Sequence, residues 1–326
     1  MPKTPDIKYT VVIPVYNAEK TVGRTLDALL AQKGAEHLEI IAVNDGSTDK
    51  TPQILRQYPV RVLHQQNSGP ASARNHGFRE ALGDIILFTD SDCIPQPGWL
   101  EHMTAPFADP EISGVKGIYI TRQKSLVARF VQLEFEERYR MLEKLQYIDF
   151  VDSYSAAFRK TALDHAGGFD ESFPKADNED VDLSFKLAAD GFKMVYAPKA
   201  IVEHTHPVTL KKYLSVKFSR GFWRMAVYKM HPGKAVKDSY TPQTLKFQIL
   251  TAGFWWLTLL FALFTGVWPP HCAVSALFIL LTLPFIAAVF TKDPLAALLT
   301  PVMLFLRANC FLLGVKMGLL KNLLRR

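Results

Sequence analysis

The sequence predicts an α/β domain built on a mainly parallel sheet, followed by a membrane region made of a transmembrane helical hairpin and an interfacial helix. Three observations predict it. Over the first two hundred residues, apolar β-branched runs alternate with helix-period stretches across short loops. Beyond residue 246 two uncharged runs follow one another, of 22 and 20 residues. Charge is partitioned to match: residues 1–198 hold 22 Lys+Arg against 28 Asp+Glu, residues 199–246 hold 10 against 2, and residues 247–326 hold 6 against 1.

The opening run YTVVIPVYN, from Tyr9, is apolar and β-branched, as in a strand covered on both faces, and a helical pattern runs from Ala18 to Gln32. EIIAVND reads as the second strand, GSTDKT as a turn, and a helix continues through Arg56. VRVLHQQ is the third strand, with a helix beginning near Ala71, and GDIILFTDSD is the fourth. Such alternation winds right-handedly and leaves ligand sites at the carboxyl ends of the strands. Polar residues gather there: Asn17, Asn44–Asp45–Gly46, Gln66–Asn67–Ser68 and Asp90–Ser91–Asp92 each end an apolar run. Neither GxGxxG nor GxxxxGKS/T occurs, so a dinucleotide fold or P-loop has no direct support.

Residues 125–147 have the spacing of an amphipathic helix, either a covering element or one beside the site. The loop AGGFDESFPKAD then leads to Asn178–Glu179–Asp180, which opens a helical pattern ending at Gly191. VYAPKAIVE is strand-like and precedes His204 and His206.

With 48% hydrophobic residues, 21% charged residues and a mean hydropathy of +0.05, a disordered chain is excluded and part of the chain belongs in lipid. FQILTAGFWWLTLLFALFTGVW, residues 247–268, would rise ~33 Å as a helix, enough for a ~30 Å hydrocarbon core. A short WPP connection leads to a second span over 271–290. The third run, 295–320, carries Arg307 near its middle and Lys316 beyond it; a mid-bilayer Arg costs ~2.5 kcal/mol or more, so this run is expected to be interfacial or re-entrant. Before the hairpin, KKYLSVKFSRGFWR mixes cations with Tyr213, Phe218, Phe222 and Trp223, the composition of a helix in a headgroup layer. The basic surplus behind the +7 net charge therefore points to a membrane surface and not to nucleic acid. MPKTPDIKYT has no apolar run, so no cleavable secretory signal is expected, and positive-inside bias places the N-terminal part in the cytosol. Cys93, Cys272 and Cys310 lie far apart and form no disulfide framework or zinc pattern.

Asp90 and Asp92 directly follow IILFT and point the same way, so their oxygens suit Mg²⁺ or Mn²⁺, ions that also bind a diphosphate; an Asp capping a loop is the other reading of the same residues. The ordered set VVIPVYNAEKTV, IIAVNDGSTDKT, NSGPASARNHG, ILFTDSDC, AGGFDESF, NEDVDLSFKLAADG and VEHTHP resembles a family 2 glycosyltransferase with a GT-A fold, over about residues 9–206. The apolar C-terminus resembles, more loosely, that of membrane-anchored members that make bacterial surface polysaccharides or glycolipids.

The resemblance implies roles residue by residue. Pro14, Tyr16 and Asp45 would line the nucleobase and ribose site, with the Asp45 carboxylate accepting the N3–H of uracil. Arg74 and Asn75 would meet the donor diphosphate, or Arg74 would fix the DSD loop. Asp90 would hydrogen-bond the ribose or sugar, with Ser91 also on the donor side. Asp92 would bind Mn²⁺ or Mg²⁺, with His204, or else His206, completing the shell. Asp180 would be the general base, and Glu179 its neighbour orienting the acceptor. The processive QxxRW motif is absent, since Arg220 and Trp223 have the wrong spacing.

The implied protein has a GT-A domain over 1–210, a basic amphipathic connector over 211–245 and a membrane region over 246–326. It would be a multi-pass protein of the inner membrane with its catalytic domain on the cytoplasmic face. Its expected activity is inverting, metal-dependent, non-processive transfer from a UDP-linked nucleotide-sugar to a lipid-linked or glycolipid acceptor. The alternatives are transfer to polyprenyl phosphate itself and a non-catalytic scaffold of the same fold.

Overall fold

A computed structural model describes residues 7–173 and 177–324. The first six residues, where part of the secretory-signal expectation falls, and residues 174–176 of the AGGFDESFPKAD loop lie outside the described residues. The chain divides into two units: Met1–Arg122 with Leu142–Thr205, and Gln123–Met141 with His206–Arg326. The segment 123–141 thus goes with the second unit, where sequence reading drew one boundary at residue 210.

In the first unit the described strands are β1 (Tyr9–Val15), β2 (Leu38–Asp45), β3 (Arg61–Gln65), β4 (Ile85–Thr89), β5 (Ile94–Pro95), β6 (Ile112–Ile120), β7 (Ser155–Arg159) and β8 (Lys193–Glu203). They form one sheet in the order β3-β2-β1-β4-β7-β6-β8-β5. β3, β2, β1 and β4 run parallel, as their continuous apolar runs predict, with Val11 opposite Ile40 and Leu87. The far side is mixed: β7 is antiparallel to both β4 and β6, β6 and β8 are parallel, and β5 is antiparallel to β8. The sheet is therefore parallel in its first half and mixed in its second.

The core lies between the sheet and the helices on it, with Val12, Ile41, Val43, Phe78, Phe88, Phe158, Phe169 and Leu183 packed together. The Pro70–Arg79 helix sits so close to β1 that a Cβ on Gly77 would lie 2.3 Å from a Val12 methyl. On β6, a Cβ at Gly117 would lie 2.1 Å from Ser155 Oγ, so glycine is needed where β6 passes the first residue of β7.

The second unit is helical: Leu126–Leu142, whose last residue belongs to the first unit, Leu210–Met230, Pro232–Val236, Gln243–Thr265, Pro269–Leu280, Leu283–Phe290 and Pro294–Leu324. Among the described residues, three segments are long and apolar enough to cross a membrane: Gln243–Thr265, Pro269–Phe290 and Pro294–Lys321. The first ends at Gly266, whose φ of 74° supplies the left-handed cap. Arg307 is buried, donating to Glu134 Oε1 at 2.7 Å and to Gln248 Oε1 at 2.6 Å, while Lys217 Nζ and the Tyr213 hydroxyl donate to the same Glu134 carboxylate at 2.8 and 3.1 Å. This cluster ties the amphipathic Leu126–Leu142 helix to Leu210–Met230 and Pro294–Leu324, which explains the assignment of segment 123–141.

Candidate active site

β1, β2 and β4 all end in polar turns at one edge of the sheet. Those turns and the start of the Pro70–Arg79 helix enclose a cavity of about 610 Å³, lined by Pro14, Val15, Tyr16, Asp45, Asn67, Gly69, Pro70, Arg74, Asp90, Ser91, Asp92 and His204. Of the residues singled out from the sequence, Pro14, Tyr16, Asp45, Arg74, Asp90, Ser91, Asp92 and His204 are brought together here.

After β1 the backbone turns at Asn17, which has a φ of 48° in the left-handed region. The turn is fastened to the loop after β2. Asn17 Oδ1 accepts from the Thr48 amide at 2.8 Å, and the Asn17 amide donates to Ser47 Oγ at 3.0 Å. Tyr16 is thereby presented half-exposed at the cavity wall.

Asp45 is buried and its carboxylate is already engaged: Oδ1 accepts from Gln65 Nε2 (2.9 Å) and the Ser68 amide (2.8 Å), and Oδ2 from the Gly69 amide (2.9 Å). It shapes the 66–69 loop that forms another part of the wall. Any hydrogen bond to a base would use a remaining lone pair.

Arg74 is 2% exposed and bridges two carboxylates, Nη2 donating to Asp90 Oδ1 at 2.9 Å and Nη1 to Glu179 Oε1 at 2.7 Å. Burial alone would lower its pKa; Asp90 and Glu179 outweigh burial and hold the guanidinium charged. The geometry matches a residue that fixes the DSD turn.

Asn75, expected beside it on the donor, does not line the cavity. Its amide is consumed by the 169–171 segment, accepting from the Phe169 amide and donating to the Phe169 carbonyl and Glu171 Oε1, each at 2.8 Å. Gly168, at a φ of 80°, permits this, because a Cβ there would lie 2.4 Å from Asn75 Oδ1.

Asp92 Oδ2 and His204 Nε2 approach to 3.4 Å from the turn after β4 and the end of β8. The His204 ring stacks on Tyr119 with centroids 4.5 Å apart. Burial pushes the Asp92 carboxyl up, but the hydrogen bond and charge of His204 prevail and hold it below its ordinary range. A carboxylate oxygen and an imidazole nitrogen facing one another are a donor set that fits a divalent cation such as Mn²⁺. Cys93 lies in the same group, the three ligand atoms being within 4.8 Å of one another, but burial pushes its thiol well up. His206 goes elsewhere: it belongs to the second unit and its Nε2 pairs with Gln132 Oε1 at 3.0 Å.

Glu179 and Asp180 open the Glu179–Ala189 helix. Glu179 is buried, and its Oε2 accepts from the Asp177 and Asn178 amides at 2.8 and 3.2 Å. Burial and then the neighbouring Asp180 push its pKa up, and Arg74 offsets only part. Asp180 is more exposed, accepting from the Ser153 amide at 3.3 Å and the Val181 amide at 2.8 Å. Through Glu179–Arg74–Asp90 the start of this helix is bonded to the DSD turn. Asn67, in the polar run after β3, and Gly69 and Pro70, in the NSGP motif, also line the cavity without a role assigned from the sequence, and Tyr119, stacked on His204, carries no sequence signal.

Comparison with known proteins agrees with this arrangement. Residues 10–167 match the family model Glycosyl transferase family 2. The chain is 31% identical over 235 residues to a pre-mycofactocin glycosyltransferase of Mycobacterium tuberculosis, covering 69% of this chain and 48% of that protein. It is 29% identical over 225 residues to a poly-beta-1,6-N-acetyl-D-glucosamine synthase of Staphylococcus aureus, covering 64% and 54%. The chain spans about half the length of the curated relatives it matches. In fold it is similar to the mannosyltransferase PcManGT from Pyrobaculum calidifontis, solved with GDP-Man and Mn²⁺, with a TM-score of 0.63 at 20% identity over 98% of this chain and 91% of that one. GalNAc-T7, solved with UDP, GalNAc and Mn²⁺, gives a TM-score of 0.51 at 15% identity over 72% and 52%. With the motifs, the cavity and the mixed sheet in accord, residues 10–167 carry a glycosyl transferase family 2 domain, set in a sheet of the GT-A fold.

Proposed function

We propose that this chain catalyses inverting, metal-dependent, non-processive transfer of a sugar from a nucleotide-sugar, UDP-linked in our reading, to a lipid-carried acceptor at the inner surface of the bacterial membrane. One observation carries the reading: Arg74 joins Asp90, at the donor cavity, to Glu179, beside the proposed base Asp180, through contacts of 2.9 and 2.7 Å. Donor turn and base are thus organised by one buried cation.

Pro14, Tyr16 and the Asp45-fastened loop form the wall against which a nucleoside would lie. Asp92 and His204 would hold a divalent ion, which would neutralise the diphosphate leaving group; two proteins of similar fold were solved with a nucleotide or nucleotide-sugar and Mn²⁺. Asp180 accepts the proton of the acceptor hydroxyl as its oxygen attacks the anomeric carbon, and the nucleoside diphosphate departs from the opposite face. Glu179, bound to Arg74 and two backbone amides, positions the helix start.

Anchoring is by the hairpin over 247–290. The Pro294–Leu324 helix lies in the membrane plane beside the basic Leu210–Met230 helix. The test is nucleoside diphosphate release from a panel of UDP- and GDP-sugars, with Mn²⁺ and extracted bacterial membrane lipid, by wild type and Asp180→Asn. Wild-type turnover with a loss of about 10²–10⁴-fold in the variant, nucleotide binding intact, is expected. Undiminished turnover by Asp180→Asn would favour an acceptor already ionised, such as a polyprenyl phosphate, and remove Asp180 as the base. No turnover with any donor would favour a non-catalytic scaffold.

A further inference from the structure

Lys116, on β6, is fully buried and takes no part in the cavity wall. A buried ammonium is tolerated only when it is paired, and four contacts of this one fall on a single segment. Its Nζ is paired with the Asp152 carboxylate, lies 3.4 Å from the Tyr154 hydroxyl, and sits 5.2 and 5.0 Å from the ring centroids of Phe150 and Tyr154.

That segment touches three parts of the proposed machinery. The Ser153 amide donates to Asp180 Oδ2 at 3.3 Å. The Tyr154 ring stacks on Tyr119 with centroids 3.3 Å apart, and Tyr119 stacks on His204 at 4.5 Å. The Tyr154 carbonyl accepts from Thr89 Oγ1 at 2.9 Å, one residue before Asp90. We propose that Lys116 is a positioning residue: by gripping Asp152 and two rings it holds segment 150–154 so that the Ser153 amide and the Tyr154–Tyr119 stack set Asp180 and His204 in mutual alignment. The proposal rests on the function proposed above.

The test uses the full chain, with the UDP- or GDP-sugar that wild type turns over fastest, Mn²⁺ and extracted membrane lipid. Lys116→Met and Asp152→Asn should each lower kcat about 10- to 100-fold. Donor KM and the Kd for UDP or GDP with Mn²⁺ should stay within about threefold, and the double variant should fall little further than either single one. Wild-type kcat in Lys116→Met would overturn the proposal. So would loss of nucleotide affinity in step with kcat, which would assign a folding role. If Lys116→Met does not fold, Asp152→Asn decides by the same criteria, and failure of both to bind nucleotide also overturns it. Full activity of Asp180→Asn, or an inactive wild type, would instead sink the underlying function, and this proposal with it.

Discussion

Arg74→Met removes the cation between Asp90 and Glu179 while keeping most of the side chain's volume. Glu179 is 1% exposed, and stripping the partner from such a buried carboxylate costs about 3–5 kcal/mol. Asp90, 29% exposed in its side chain, adds little because water reaches it. For a domain of about 150–250 residues each kcal/mol moves Tm by about 2–4 °C, so a drop of about 6–20 °C is expected at pH 8. The cost has a ceiling, since Glu179 can take up a proton. Its native pKa is already raised above 4.5 by burial and by Asp180, and loss of Arg74 raises it further. The folded state then binds more protons than the unfolded one between 4.5 and the raised value, so stability falls as pH rises through that window and the deficit should shrink at pH 5. Adding Glu179→Gln removes the orphaned charge and should recover more than half of the loss at pH 8. Thermal melts of both variants at the two pH values, with calorimetric nucleotide binding alongside, provide the measurement. A Tm change under about 3 °C at pH 8, or a double variant no better than the single one, would refute the reasoning.

Asp92→Asn and His204→Ala should each raise the Mn²⁺ concentration for half-maximal turnover at least about tenfold, read from metal titrations of nucleotide release. Glu134→Gln should cost about 3–5 kcal/mol by leaving Lys217 and Arg307 without their carboxylate. Burial would raise the Glu134 pKa, but Lys217, Arg307 and Arg138 hold it at about 2, so its stabilisation is present above 4.5 and lost as pH falls towards 2, an acid limb the variant should lack in pH melts. Gly314→Ala places a Cβ 2.3 Å from the Phe218 carbonyl oxygen and should destabilise the helical unit by about 1–3 kcal/mol in a thermal melt. A single cysteine at position 324 should react with an impermeant thiol reagent from the same side of the membrane as one at 229; reaction from opposite sides would make the third helix a span.

The strands legible in the sequence are those buried on both faces. β1, β2 and β4 are continuous apolar runs because a parallel sheet covers them twice. β6 and β7 escaped because ISGVKGIYI and SAAFR are interrupted by glycine, lysine or small residues, whose reasons lie in close contacts with distant chain: Gly114 against Met194 and Phe158, Gly117 against Ser155. The cavity residues were legible for a related reason, since polar residues that end apolar runs collect at one sheet edge. Their partners were not. That the Ser68 and Gly69 amides share the Asp45 carboxylate is invisible in the sequence, and Asn75 reads as a donor contact until Phe169 and Glu171 take its amide. Hydrogen bonds between residues far apart in the chain leave no spacing to read.

Arg307 shows how a sound local inference can rest on an incomplete premise. An arginine in the middle of an apolar run argues against a span only if it meets lipid, and here Glu134 and Gln248 meet it at 2.7 and 2.6 Å. Neutralised in this way, the residue no longer decides how the Pro294–Leu324 helix lies. Packing does. Phe311, Gly314 and Gly318 run side by side with Gly221, Phe218, Phe222 and Met225, the glycines bringing the two backbones together, and Lys321 Nζ lies 4.0 Å from the centroid of a Trp223 ring. The partner helix, Leu210–Met230, carries Lys211, Lys212, Arg220, Arg224 and Lys229 and cannot cross a hydrocarbon core, whereas its aromatic residues suit a headgroup layer. A helix locked to it over more than two turns is expected to share its depth, so this packing predicts the same-side outcome of the thiol test, although the length and composition of Pro294–Leu324 would allow it to cross.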